Sequence, residues 1–213
     1  MTFPGDPGTA TTLLLLRHGA TALTPERRFS GSGSDPGLSA AGWRQAEAAA
    51  QMLAKRWPVR AVVSSPLRRC RETAAVVARR LGFDVRIDAG WREADFGVWD
   101  GLTFAEVRER HPDELAAWLA SPTAVPGGTG ESLAAVTRRV EPTRDKLLAG
   151  HPGQTVLVVS HVAPLRTLVR LALGAPPEAL FRMELAAASV SAVAYSEEGN
   201  ASVRLLNDTS HLR

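Results

Sequence analysis

Arg17 and His18 stand at the end of one apolar run, TLLLLR (12–17). Ser64 and Ser65, with Arg68 and Arg69 just beyond, end a second, AVVSS (61–65). Ser160 and His161 end a third, TVLVVS (155–160). A neutral imidazole can act as a nucleophile or a proton carrier, and a guanidinium fork matches phosphate oxygens bidentately. Two histidines and two arginines at strand ends, with no lysine nearby, describe a pocket for a phosphate-like anion. Each alone has an ordinary explanation. A histidine after a strand is commonly a hydrogen-bonded boundary residue, and an arginine in a helix's first turn meets the positive end of the dipole. An anion held there would make that placement favourable.

For three strand ends to meet, the strands must lie parallel in one open sheet, whose ligand crevice forms at their carboxyl ends. The rest of the chain has the required alternation. LSAAGWRQAEAAAQMLAKRW (38–57) has helical spacing with Ser39 as N-cap, and PLRRCRETAAVVARRLG (66–82) reads as a helix with Pro66 first and Gly82 as its stop. DVRIDA (84–89) reads as a third strand. TFAE (103–106) is a capping box, and PDELAAWLA (112–120) is a further helix. ESLAAVTRRV (131–140) is helical, with Pro142 expected to kink or interrupt any continuation towards Leu148. PLRTLVRLALG (164–174) is the last helix, and two alternating segments, 187–196 and 201–207, flank the turn EEGN as an edge hairpin. The expected fold class is α/β: a three-layer α/β/α sandwich with a mostly parallel sheet and an antiparallel edge strand. Residues 1–11, rich in Pro, Gly and Thr, read as a linker or disordered terminus, and 12–213 as one domain.

Composition narrows the function classes. A hydrophobic fraction of 45% supplies a sizeable core. No apolar run approaches the roughly 20 residues of a membrane span, and no signal-peptide pattern opens the chain. Cys70 is the single cysteine, so no intrachain disulfide can form, and the default location is the cytoplasm. A net charge of +3 gives little reason to expect nucleic acid as a partner. The bias to arginine, with only Lys55 and Lys146 as lysines, reads as compositional and says nothing of phosphate. The P-loop and the G-x-G-x-x-G loop are both missing; GSGSDPG (31–37) and PGGTG (126–130) read as loops. No acidic or Cys/His cluster has metal-ligand spacing, so neither metal nor cofactor is expected.

Five blocks, in order, resemble the histidine phosphatase (phosphoglycerate mutase-like) superfamily. LLLLRHGAT resembles its R-H-G-x-[TS] signature, and RFSGSGSDPGLSAAG (28–42) its Ser-Gly and Leu-Ser-x-x-Gly segment. SSPLRRCRETA (64–74) resembles S-S-P-L-x-R-A-x-x-T-A. WREADFGVWDG (91–101) resembles L-x-E-x-[DN]-F-G-x-W-E-G. GGTGESL (127–133) with VLVVSHVAPLR (156–166) resembles the segments leading to the second histidine. The run VVSHVAPLRTLVRLALG and the tail ASVRLLNDTSHL are similar, more narrowly, to acid phosphatase domains of α-ribazole-phosphatase type. In actinobacterial fusion proteins these follow a ribonuclease H domain. The acidic residues of a ribonuclease H site are missing from this chain.

The resemblance implies a metal-independent acid phosphatase working through a phosphohistidine on a small phosphorylated substrate. His18 would be the nucleophile, its far nitrogen tied to a backbone carbonyl, with Gly19 giving the chain room to fold back. The resemblance singles out Arg69 over Arg68. Arg17, Arg69 and a cationic His161 would surround the phosphoryl oxygens, and Glu93 would be the acid and then the base. Thr24, Ser30 and Gly31 would line the substrate entrance, with Thr21 bracing the His18 loop. Val162 stands where a backbone phosphate contact is expected, although Val162-Ala163-Pro164 replaces a Gly-rich stretch. Trp91 and Asp100 depart from the usual Leu and Glu, at positions that the family's geometry keeps off the chemistry. The paired-arginine insertion of the mutases is not recognisable after Gly101, which favours hydrolysis. The alternatives are mutase-type phosphoryl transfer and a phospho-ligand-binding module without turnover.

Overall fold

The computed structural model describes residues 10–213, so most of the expected terminus, 1–9, lies outside the described residues. The strands are β1 (Thr11–Arg17), β2 (Val59–Ser64), β3 (Val85–Ile87), β4 (Thr155–Ser160), β5 (Val190–Tyr195) and β6 (Ala201–Asp208). The helices are α1 (Ala40–Arg56), α2 (Arg68–Leu81), α3 (Phe104–Arg110), α4 (Pro112–Ala120), α5 (Leu133–Ala149) and α6 (Val162–Ala172). One sheet runs in the order β3-β2-β4-β1-β5-β6. The first four of these are parallel. β5 alone runs against its neighbours, one place in from the edge; the hairpin then returns β6 to the common direction as the edge strand.

The apolar runs are continuous because both faces of the sheet are covered. Leu13, Leu15, Val156 and Val158 face a core shared with Val136 and Val140 of α5 and Leu165 and Leu168 of α6. The alternate residues Leu14, Leu16, Leu157 and Val159 face the second core, formed with Ala46 and Leu53 of α1 and Ala74 and Val77 of α2. Each such buried leucine contributes about 2 kcal/mol of burial.

The connections place the crevice. β1 and β4 are neighbours, with Leu16 opposite Val159 and Arg17 opposite Ser160. The chain leaves β1 towards α1 on one face and leaves β4 directly into α6 on the other. Parallel neighbours whose connections diverge in this way leave an open crevice at their carboxyl ends, and here it falls at Arg17-His18 and His161.

Local signals set most boundaries. The Ser39 side chain accepts from Gly42 N, and the Thr103–Glu106 capping box is complete. Several boundaries shift by two or three residues, and the starts of α2 and α6 and the course of α5 bear on the site. α2 begins at Arg68, not Pro66, because Ser65 Oγ accepts the Leu67 amide in a turn and Asp35, from the 31–37 loop, accepts the Arg68 amide. α6 begins at Val162, directly after β4. α5 runs without a break through Pro142. Pro142 and Arg138, whose carbonyl loses its helical partner, lie on the exposed side where water can take its place, while Val136, Val140 and Leu147 hold the other side in the core.

Replacing Pro142 by alanine should therefore stabilise the protein by about 1–3 kcal/mol, by restoring one helical hydrogen bond. A higher urea midpoint at unchanged slope is the expected reading; an unchanged or lower midpoint would contradict the continuous helix.

Candidate active site

The His18 amide donates to Ser160 O (3.1 Å), and its carbonyl accepts from Ala188 N (3.1 Å), so the residue is fixed between β4 and the approach to β5. Its Nδ1 lies 2.8 Å from Gly19 O. A carbonyl only accepts, so Nδ1 carries the proton and Nε2 is left with the lone pair. Gly19 is required by a close approach: a Cβ there would lie 2.5 Å from Gly42 O, and one on Gly42 would lie 2.1 Å from Ala20 O. The loop thus rests on the first turn of α1, backbone against backbone. Burial, then the charges of Arg17 and Arg69, hold the His18 imidazole well below its ordinary pKa, so the ring is neutral.

Of the two arginines after β2, Arg68 is on the surface, its side chain 60% exposed and paired with Glu72, whereas Arg69 is 0% exposed. Arg69 donates from Nη1 to Ser34 O (3.1 Å) and from Nη2 to Ser30 O (3.0 Å) and Gly31 O (3.1 Å). Its Nε donates to His161 Nδ1 at 3.2 Å. Arginine is always protonated, so Nδ1 of His161 must hold a lone pair. Its Nε2–H then points to Ser65 Oγ at 2.8 Å, with Cys70 Sγ also 3.3 Å away. In the free site burial, Arg69, His18 and Arg17 together hold His161 neutral, whereas the cationic form is the one expected around a bound phosphoryl group. The His18 and His161 rings meet edge to face, their centroids 5.2 Å apart.

Glu93 is buried against the start of α6. Oε1 accepts from Ala94 N (2.9 Å) and Ala163 N (3.1 Å), and Oε2 from Val162 N (3.0 Å). Burial raises its pKa above the usual carboxylate value, while the Ala94 and Ala163 amides and the charges of Arg69 and Arg139 oppose the rise. Val162 was expected to offer its amide to phosphate; here that amide is engaged by Glu93. Arg17 donates to Leu185 O (2.6 Å), its Nε is buried with no partner among the described residues, and burial lowers its pKa.

The outer residues sit at one remove. Thr21 bonds within its own turn, its amide donating to Thr24 Oγ1 (2.9 Å), and makes no bond to the His18 ring. Ser30 and Gly31 present carbonyls to Arg69. Asp100 accepts the Gly31 amide at 2.6 Å, and the Trp91 carbonyl accepts from Ser160 Oγ at 2.7 Å. Asp100 therefore braces the site through its side chain, whereas the Trp91 contact is made by the main chain and does not depend on the indole. The sequence reading missed Ser65 as the partner of His161, although its motif contains it. It also missed Arg166, one turn into α6, whose Nε is buried and unpartnered among the described residues and whose charge acts on Arg17. A cavity of about 190 Å³ lies elsewhere, lined by Thr11, Leu148, Pro152 and Tyr195, where β1 and β4 begin and β5 ends.

A neutral imidazole with a free Nε2, two guanidiniums and a carboxyl of raised pKa are groups of the kind phosphoryl transfer calls for. The family model described as the histidine phosphatase superfamily (branch 1) matches residues 13–209. The chain belongs to that superfamily. A bifunctional protein of Mycobacterium tuberculosis is 50% identical over 208 residues, which are 98% of this chain and 57% of that protein, so the chain spans just over half the length of this relative. Phosphoserine phosphatase 1 of Hydrogenobacter thermophilus is 34% identical over 200 residues, covering 94% of this chain and 93% of that one. The native structure of mycobacterial glucosyl-3-phosphoglycerate phosphatase superposes with a TM-score of 0.84 at 31% identity, over 94% of this chain and all of that one. These relatives agree with the enzyme class read from the site, a phosphoric monoester hydrolase.

The Gly19–Gly42 approach makes a direct prediction. Gly42→Ala should cost about 1–3 kcal/mol of stability, because the clashing atom is backbone, and should also lower turnover by displacing the His18 loop. Gly150→Ala, whose nearest neighbour would be 3.5 Å away, should do neither. Thermal unfolding and initial rates on both variants check it; equal behaviour would contradict the tight loop.

Proposed function

We propose that this chain is a metal-independent acid phosphatase hydrolysing small phosphomonoesters through a phosphohistidine on His18. The observation that carries this reading is the 2.8 Å contact from His18 Nδ1 to Gly19 O, which leaves Nε2 unprotonated beside Arg17 and Arg69. Nε2 attacks phosphorus as the ester P–O bond breaks, and the Glu93 proton passes to the leaving oxygen. Arg17, Arg69 and His161 meet the charge spread over the three phosphoryl oxygens. The arriving dianion favours protonation of His161, reversing the balance of the free site. In the second step, Glu93 takes a proton from water, whose oxygen displaces Nε2 from phosphorus and releases inorganic phosphate.

The names of the relatives support hydrolysis, and so does the short path from Gly101 to α3, which starts at Phe104. A binding module without turnover would not need Glu93 buried at a raised pKa. Metal independence is supported by the donor set: among the described residues no group of three or more His, Cys, Asp and Glu could hold a metal ion. The name and length of the bifunctional relative support a further reading. This would be the phosphatase portion of a longer protein with a second function; that a ribonuclease H domain precedes it, and that this portion binds no nucleic acid, follow from the sequence resemblance. No described helix is long and apolar enough to cross a membrane, and Cys70 is a free, buried thiol; we take the protein to be cytoplasmic.

Rapid-quench reaction with a ³²P-labelled ester should place label on wild-type protein in an acid-labile, base-stable form, and none on His18→Ala. Turnover should be unaffected by EDTA. Equal labelling of both proteins, or EDTA inhibition reversed by magnesium, would overturn the mechanism.

The pH dependence follows from two opposite shifts. His18 must be neutral to attack and its pKa is depressed, so the rate climbs as pH rises through that low value. Glu93 must be protonated to act first and its pKa is raised, so the rate falls as pH rises through it. The expected profile of kcat/KM, which reports the free enzyme, is a bell whose alkaline side falls as Glu93 deprotonates; a profile still rising above pH 8 would contradict the assignment.

A further inference from the structure

Glu93 lies in an irregular segment between β3 and α3, where no regular hydrogen-bond ladder fixes its backbone. Arg139, on α5, supplies the missing anchor. Its Nη1 donates to Gly90 O at 2.8 Å and its Nη2 to Glu93 O at 3.2 Å. The same guanidinium pairs bidentately with Glu131, from Nε to Oε1 and from Nη2 to Oε2, both at 2.8 Å. Glu131 is itself pinned, its amide donating to Asp95 O at 2.7 Å. The segment 90–95 is therefore held at three carbonyls by one arginine–glutamate pair, only 14% exposed on either side. A second contact presses the same turn onto α5. A Cβ at Gly90 would lie 2.0 Å from Thr143 Oγ1, and that hydroxyl donates to the Arg139 carbonyl at 2.6 Å.

We propose that Arg139, locked by Glu131, is the positioning residue of the general acid: it fixes the Glu93 main chain so that its carboxyl meets both leaving group and water. This rests on the assignment of Glu93 under the proposed function. An arginine fits the task because its planar fork can grip a carboxylate on one side and two carbonyls on the other; a lysine ammonium cannot do both. Arg92 also approaches Glu131, at 3.5 Å, but is 42% exposed and contacts neither carbonyl. Glu93 is faced by the charges of Arg17 from β1, Arg69 from α2, Arg139 from α5 and Arg166 from α6, and by the Val162 and Ala163 amides. Among the cations, Arg139 alone holds the Glu93 backbone.

The test compares Arg139→Met, Arg139→Lys and Glu131→Gln with Glu93→Gln. Each is assayed on an alkyl phosphate, which needs its leaving group protonated, and on p-nitrophenyl phosphate, which does not. If the acid is misplaced, kcat on the alkyl ester should fall by about 10- to 100-fold, with a much smaller loss on the aryl ester. Removing the charge in Arg139→Met should move the alkaline limb of the kcat/KM profile upward, since one cation opposing protonation is gone. Arg139→Lys should restore that limb without restoring the leaving-group preference, and Glu131→Gln should show the preference alone. Equal losses on both esters with a fixed alkaline limb, in variants that melt like wild type, would make Arg139 merely structural and overturn the inference. So would a wild-type preference in Arg139→Lys, the variant least disruptive to folding. If Glu93→Gln itself shows no leaving-group dependence, the assignment of Glu93 fails first and the inference fails with it.

Discussion

Charge buried without a matching countercharge has to be met by backbone dipoles, and the architecture of this site follows from that requirement. Among the described residues no carboxylate comes within ion-pair distance of Arg17 or Arg69. Their guanidiniums are met by the carbonyls of Leu185, Ser30, Gly31 and Ser34, and the Glu93 carboxyl by three amides. The loop before α1, the start of α6 and the chain before β5 thus act as fixed solvent for these groups. Buried unpaired cations are expensive to keep, and an anionic substrate is the partner that would offset that cost.

The same requirement explains which parts of the molecule could be read from sequence. Strands covered on both faces announce themselves as unbroken apolar runs, and helix caps such as Ser39 and the Thr103–Glu106 box depend on residues three apart. The strand-end placement of Arg17, His18 and His161 was legible for the same reason. What local pattern could not supply was long-range. Asp35 reaches across 33 positions to start α2 two residues later than Pro66 suggested, and Asp100 reaches across 69 to hold Gly31. Pro142 failed to break α5 because packing of the buried side outweighed one lost hydrogen bond. Choosing Arg69 over Arg68 needed the family pattern, since adjacent residues on a helix differ only in which way they face. The tautomer of His161 in the free site depends on one N–H of Arg69, which no spacing reveals.

Family membership and geometry contribute different things here. The superfamily match fixes the kind of site, and half the length of the bifunctional relative bounds what this region alone can account for. The geometry adds how the groups are held. Of the two positions that differ from the family pattern, Asp100 holds the Gly31 amide through its side chain, whereas Trp91 reaches the site through its main-chain carbonyl, a contact that any residue there would make.

At the mouth of α6, donors are conserved like a fixed number of seats. Pro164 brings none, the Leu165 amide is used by the His161 carbonyl, and Glu93 occupies those of Val162 and Ala163. An anion settling on this helix end would compete with the Glu93 carboxyl for the same two amides, because Pro164 leaves no third donor to share.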